Sequence, residues 1–355
     1  MAKLRSAPTR KPAATRTRVR AARRGADAPG TAVPLELNQA ALLHLAGRLD
    51  EAQAAYEALL AADPGHATAL NNLGFLLAQR GRHEDALALY RRALEAAPER
   101  SMTFANLGQA QAALGRLDAA QAALERAVAL DPRNVVAWDS LGSLNLRSGR
   151  YREAESAWRA ARNVAPLEPR LALGLATALA GQLRVDEAVA VLQDCAAVAP
   201  DRPEVWAQLG SVLLLRQDYG SASEALSRAL QLSPDDLHAR HRLAQALLAR
   251  GDRAAARCEL ERVLVQHPRH LPAALDLAVL ELSADEAAAA LERLDRVLVE
   301  DPTDAKASFY RALALRQLAR EAPARAALQR LAAGASRYAQ RAQDLLHAQV
   351  AGAAR

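Results

Sequence analysis

ALNNLGFLLAQRGRHEDALALYRRALEAAPER, residues 69–100, is the stretch whose reading decides the fold. Leu70, Leu73 and Leu77 recur at helical spacing, and the run stops at Gly81, a residue suited to the left-handed conformation that closes a helix. A second amphipathic helix follows, with Ala86, Leu89, Tyr90 and Ala93 on one face. Pro98 then turns the chain out of helix at the residue before it, because its ring disfavours the helical conformation there. The stretch predicts helix, turn, helix, stop.

The stop repeats. Pro64, Pro98, Pro132, Pro166, Pro200, Pro234, Pro268 and Pro302 stand 34 residues apart. With each unit ending two residues past its proline, nine units run without insertion or deletion over 33–66, 67–100, 101–134, 135–168, 169–202, 203–236, 237–270, 271–304 and 305–338. The twentieth place is always Ala, from Ala52 and Ala86 to Ala324. The eighth is always Gly or Ala, as in Gly74, Gly108, Gly142 and Gly210. The twenty-fourth is always large and apolar, as in Tyr56, Tyr90, Leu124, Trp158 and Leu192. Small residues at the eighth and twentieth places let the two helices approach closely, and Tyr90 is expected to fill the seam to the next unit.

One such pair cannot bury its apolar faces alone, so neighbours must stack. In length and in its small, large and proline places the chain resembles the tetratricopeptide repeat family, over about 306 of its 355 residues. The resemblance implies an all-α fold, a right-handed α-solenoid of nine helix–turn–helix units, and a role in binding other proteins. The seventh place is Leu in seven consecutive units but Gln39 in the first and Arg311 in the last, which suits end units with a face that has no neighbour. Residues 336–350 read as an extra helix that caps the last pair through Tyr338, Leu345 and Leu346, with 351–355 as a tail. Leu183, Gln217, Asp285 and Ala319 replace the turn glycine in the C-terminal half, which leaves the form of those turns open.

Composition agrees with close packing of small-residue helices: about half of the chain is apolar, yet only twelve residues are aromatic. The basic residues are nearly all Arg, with Lys only at Lys3, Lys11 and Lys306, a bias associated with GC-rich bacterial genomes. The net charge of +6 hides a division. Residues 1–32 carry nine basic residues against Asp27, and the remainder is close to neutral. That arm has too few large apolar residues to offset the entropy of ordering and is expected to be disordered. It contains no apolar run of secretory length, and no membrane-spanning stretch follows it. Cys195 and Cys258 have no metal spacing and are expected to be free thiols, consistent with a cytoplasmic protein.

No phosphate loop, nucleophile elbow or metalloprotease spacing occurs, so no catalytic residue, metal or cofactor is expected. Phe104, Trp138, Trp206, Tyr151, Tyr219, Tyr56, Tyr90 and Trp158 fall at places expected to be core. Phe75, Phe309 and Tyr310 fall at the ninth, fifth and sixth places, which in the family face the concave groove. Aromatic side chains there suit a docking surface. The sixth place holds Asn38, Asn72 and Asn106, with Ser140 and Gln208 further on. This ladder resembles the repeats of the O-linked N-acetylglucosamine transferase, although no transferase domain follows. The resemblance implies carboxamides that grip the main chain of an extended peptide, each offering one acceptor and two donors. Gln208, His238 and Arg242 occupy three places of a chaperone-type carboxylate clamp, but Leu173 and Thr177 stand where its first Lys and Asn would be. His238 and His241, near His270 and Asp276, make the C-terminal groove basic rather than metal-binding. The expected partner is a protein or an extended peptide. The rival readings are a nucleic-acid-associated factor anchored by weak polyanion contacts through residues 1–32, and a substrate-delivery subunit of an enzyme encoded elsewhere.

Overall fold

The computed structural model describes residues 35–353, and side chains from 36 to 348. The basic arm lies outside the described residues. The chain divides into two compact units, residues 1–64 and 65–355. In the first, α1 (Leu35–Leu45) pairs with α2 (Leu49–Ala62). Leu37, Ala40, Ala52, Tyr56 and Leu59 are buried there, and Leu42 and Leu45 are exposed.

The second unit is a helical solenoid. Its pairs are α3 (Ala67–Gln79) with α4 (His83–Ala96), α5 (Ser101–Ala113) with α6 (Leu117–Leu130), α7 (Val135–Arg147) with α8 (Tyr151–Val164), and α9 (Pro169–Gly181) with α10 (Val185–Val198). Then come α11 (Pro203–Leu215) with α12 (Tyr219–Leu232), α13 (Leu237–Arg250) with α14 (Arg253–Gln266), α15 (Leu271–Ser283) with α16 (Ala287–Glu300), and α17 (Ala305–Gln317) with α18 (Glu321–Ala332). A final helix, α19 (Arg337–Ala353), packs on α17 and α18. Each helix lies against the next in sequence, as nearest-neighbour stacking requires. Successive first helices also touch, α3 with α5, α5 with α7, α7 with α9, α9 with α11, α11 with α13 and α15 with α17. No comparable contact joins successive second helices among the described residues. Within this unit the first helices therefore line the inner face.

The periodic places act as spacers and fillers. The twentieth-place alanines from Ala86 to Ala324 have no exposed surface. A Cβ placed on Gly74 would stand 2.6 Å from the Tyr90 ring, and one on Gly210 would stand 2.4 Å from Leu226. The large twenty-fourth-place residue thus fills space within its own pair, and not mainly the seam to the next unit as expected. Trp158 does both. Its indole lies over Gly142 of its own unit and over Gly174 of the next, where an added Cβ would come within 2.3 Å.

All nine turns share one conformation. Gly47, Gly81, Gly115, Gly149 and Gly251 have positive φ, and so do Leu183, Gln217, Asp285 and Ala319, at 62°, 62°, 61° and 56°. The residue before each unit caps its first helix wherever it has an acceptor of suitable reach: His66, Asn134, Asp236, His270 and Asp304 each accept from an N–H in the first turn.

The capping helix forms as expected, with Tyr338 and Ala342 buried against Phe309, Ala312 and Leu328, and Leu345 and Leu346 packed around them. Two aromatic expectations are corrected. Tyr151 is 38% exposed, its ring lying along Gly181 at the edge of the stack. Phe309 is buried, because α19 brings Tyr338 to 5.4 Å from its ring.

Candidate functional site

Helical geometry puts the second, fifth, sixth and ninth places of each first helix on the inner face. The sixth place proves to be a seam between units. Asn106 is buried and donates to Asn71 Oδ1 at 3.0 Å, and Asn71 donates to Asn72 Oδ1 at 3.2 Å. Ser140 accepts from Gln109 at 2.8 Å. Gln208 donates to the Leu173 carbonyl at 2.9 Å and to Thr177 Oγ1 at 2.6 Å. Asp276 accepts from His241 Nε2 at 3.0 Å and from Gln245 at 3.3 Å. In every case a sixth-place side chain meets the fifth or ninth place of the unit before it. Asn106 is therefore corrected from a free rung to a buried linker, since its amide is committed to Asn71. Asn72 is half-buried. Asn38 is exposed on α1 in the first compact unit.

The exceptions in this column have physical reasons. In the fifth unit Trp158 occupies the space, so only Gly174 fits. The preceding Asp139 is met instead by Trp158 Nε1 and by Arg170, each at 2.9 Å. In the seventh unit the sixth place is Arg242, but Ala207 and Ser211 stand before it. Neither side chain offers a carboxylate to the guanidinium. Arg242 is left exposed.

The accessible inner row is the ninth place, where the sequence singles out only Phe75. Phe75 is 40% exposed, and Gln109, Ser143 and Thr177 are exposed beyond it, with Met102 at the second place 48% exposed. Read down its column, the ninth place is aromatic or uncharged polar from α3 to α13, which was the signal available. The outer helices carry many ion pairs, such as Arg82–Asp85, Arg184–Glu187 and Arg257–Glu286, while the Asp139–Arg170 pair stands on the inner face beside this row.

Of the remaining expected residues, His238 is exposed, and Tyr310 is half-buried against Phe309 and Tyr338. His241 and His238 lie 5.0 and 6.5 Å from the His270 ring, and His267 also lies 6.5 Å from it. Burial, and then the neighbouring His241 charge, holds the His270 pKa below the usual imidazole value. Burial would raise the Asp276 carboxyl, but hydrogen bonds from His241 and Lys306 and the Lys306 charge bring it down to about 2. Among the described residues no group of His, Cys, Asp and Glu could hold a metal ion. Cys195 and Cys258 are free, and burial pushes the Cys195 thiol up. No described helix is long and apolar enough to cross a membrane.

Stacked helix pairs of 34 residues, with spacer alanines and an inner row of first helices, define a repeat solenoid. The chain belongs to the tetratricopeptide repeat family. A family model described as the cilia and flagella-associated protein 70 C-terminal domain matches residues 3–242, and one described as tetratricopeptide repeat matches residues 213–278. Among solved structures it is similar to the APC/C hetero-tetramer Cut9–Hcn1, with 19% identity, a TM-score of 0.56, and coverage of 79% of this chain and 55% of that one. It is also similar to PilF of Pseudomonas aeruginosa, with 20% identity, a TM-score of 0.51, and coverage of 58% and 93%. A tetratricopeptide repeat protein from Parabacteroides merdae matches at 16% identity and a TM-score of 0.52, covering 69% and 97%. The chain thus spans about half the length of the Cut9–Hcn1 chain it matches. No curated protein matches the sequence. These likenesses are of fold, and the fold is one whose extended inner surfaces serve protein–protein interaction.

Proposed function

We propose that the chain is a non-catalytic scaffold that takes an extended segment of another protein along its first-helix face. The observation that carries this reading is the contrast between faces. The inner row from Phe75 and Met102 through Gln109, Ser143 and Thr177 is exposed and uncharged, whereas the second helices are covered with ion pairs. An uncharged, partly apolar strip costs less to desolvate than a charged one. Its hydroxyls and carboxamides supply donors and acceptors for a peptide main chain. The asparagine grip becomes narrower than the sequence implied, because the seam claims Asn106, and the ninth-place row takes over its role.

The test is selection of extended peptides from a display library with the full-length protein, followed by calorimetry on the tightest binder. Replacing Phe75 and Met102 together by Ala should weaken that binder about tenfold or more, the loss of about 1.4 kcal/mol from two partly exposed apolar anchors. The melting temperature should hardly move, since neither side chain is core. Unchanged affinity in the double variant would place the peptide elsewhere and sink this reading.

A further inference from the structure

The inner face is uncharged along its ninth-place row but chemically different toward its C-terminal end. His238, His241 and Arg242 lie within the first two turns of α13, and His238 and Arg242, four residues apart, share one stripe of that helix. His267 and His270 come from the turn leading into α15, and all three other imidazoles lie within 6.5 Å of the His270 ring. Four histidines out of the eight in the chain meet at this one junction.

Resting on the proposed scaffold function, we infer that these imidazoles make the face at the junction of α13 and α15 a pH-gated site for an acidic peptide segment. The site is closed near neutrality and opens as pH falls through the histidine range.

The charges around the cluster decide where protons go. Asp276 on α15 receives His241, Gln245 and Lys306 of α17, with Lys306 Nζ at 3.0 Å from Oδ1, so its negative charge is already engaged from three sides. From α14, Glu259 pairs with Arg240 at 2.8 Å and with Arg262 at 2.6 Å. In the turn, Arg269 stands 3.6 Å from Glu300. At the start of α13, Asp236 caps the Ala239 N–H. From α11, Glu204 stands 3.5 Å from Arg202, and on α12 Glu224 and Arg228 are exposed. Asp235, in the turn before α13, is also exposed.

His270 is the least suited to take a proton. Its Nδ1 accepts the Ala273 N–H at 3.1 Å, and protonation would turn that acceptor into a second donor. His238 and His267, by contrast, are exposed, and His241 Nε2 faces Asp276. Imidazoles that carry a proton here join Arg242, which the seam leaves without an acidic partner, in a cluster of positive charge. Carboxylates stay ionised through this range, so an acidic segment gains a complementary surface that was absent at neutral pH.

The probe is a synthetic peptide alternating glutamate and alanine, titrated calorimetrically into the full-length protein near pH 7.5 and near pH 5.5, the range over which histidine changes charge. The expected result is affinity at least about tenfold tighter at the lower pH. Replacing His238 and His267 together by Gln should abolish most of that gain, and Arg242→Gln should weaken the binding seen at the lower pH. All three side chains are exposed, so circular dichroism should show the variants folded. A pH-independent affinity, or an equal pH response in the His238→Gln, His267→Gln double variant, would overturn the gate and leave the scaffold reading standing. Absence of binding at both pH values would also overturn it. The scaffold reading has its own test with uncharged peptides and α3–α5 variants, so the two failures are distinguishable.

Discussion

Leu183 is 86% exposed and sits in a left-handed turn with φ of 62°. It contributes little packing and pays the crowding between Cβ and its own carbonyl that an L side chain meets there, roughly 1–2 kcal/mol for a left-handed residue. Glycine escapes that crowding but costs more unfolded-state entropy. The predicted net gain for Leu183→Gly is about 0.5–1 kcal/mol, read as a higher urea midpoint with an unchanged m-value; a lower midpoint would mean the Leu183 side chain packs in solution. The turn column was visible in the sequence, but its outcome at the four non-glycine places was not. Whether the turn or the residue yields depends on how strongly the flanking pairs fix the chain path, and here the stack wins. Trp158 shows the same limit. Its fit over Gly142 was implicit in the small and large places, while its reach to Gly174 joins different units and leaves only an unexplained glycine in the sixth column.

At the scale of helices, the polar seam and the caps hold neighbouring units in register. Glu155 in α8 faces Arg184 at the start of α10, and in the equivalent place Arg257 in α14 faces Glu286 before α16, with the signs reversed. Burial would raise the Glu155 carboxyl, but hydrogen bonds from Gln182 and Arg184 and the charges of Arg159 and Arg184 hold it below its usual range. Reversed polarity penalises an out-of-register stack, since a displaced helix would meet like charge. The helix caps add a pH dependence. His270 titrates below the ordinary imidazole value in the folded chain. Its contribution to stability is thus complete above about pH 6.5 and is lost as pH falls through its lowered pKa. Asp276 behaves likewise further down, its contribution present above about pH 4 and lost toward pH 2. His270→Asn keeps a capping acceptor but removes the titrating group. Denaturation midpoints measured between about pH 7 and pH 5 should therefore fall less in the variant than in the parent. Equal slopes would mean that His270 does not titrate differently on folding. The helix-pair repeat and the presence of a capping helix are legible because 34-residue periodicity and proline act locally. The seam was not, because a hydrogen bond such as Asn106 to Asn71 depends on how far one first helix is rotated against the next.

Within residues 65–355, stability follows from nearest-neighbour packing, and the proposed function from what the inner row presents. The spacer alanines are buried throughout α4 to α18, where neighbouring helices pack closely. The sequence names the fold, but two of its groove residues are core. It assigned Asn106 and Phe309 to the groove, whereas packing took both, and it passed over Gln109, Ser143 and Thr177. The central claim is that a partner segment lies along the first helices, and photo-crosslinking tests it most directly. A peptide selected on the full-length protein, carrying a photoreactive residue at each position in turn, would be irradiated in complex and its attachment sites read by mass spectrometry. The account predicts attachment on α3, α5, α7 and α9, centred on Phe75, Met102, Gln109, Ser143 and Thr177. Attachment concentrated on α4, α6, α8 and α10 would contradict it.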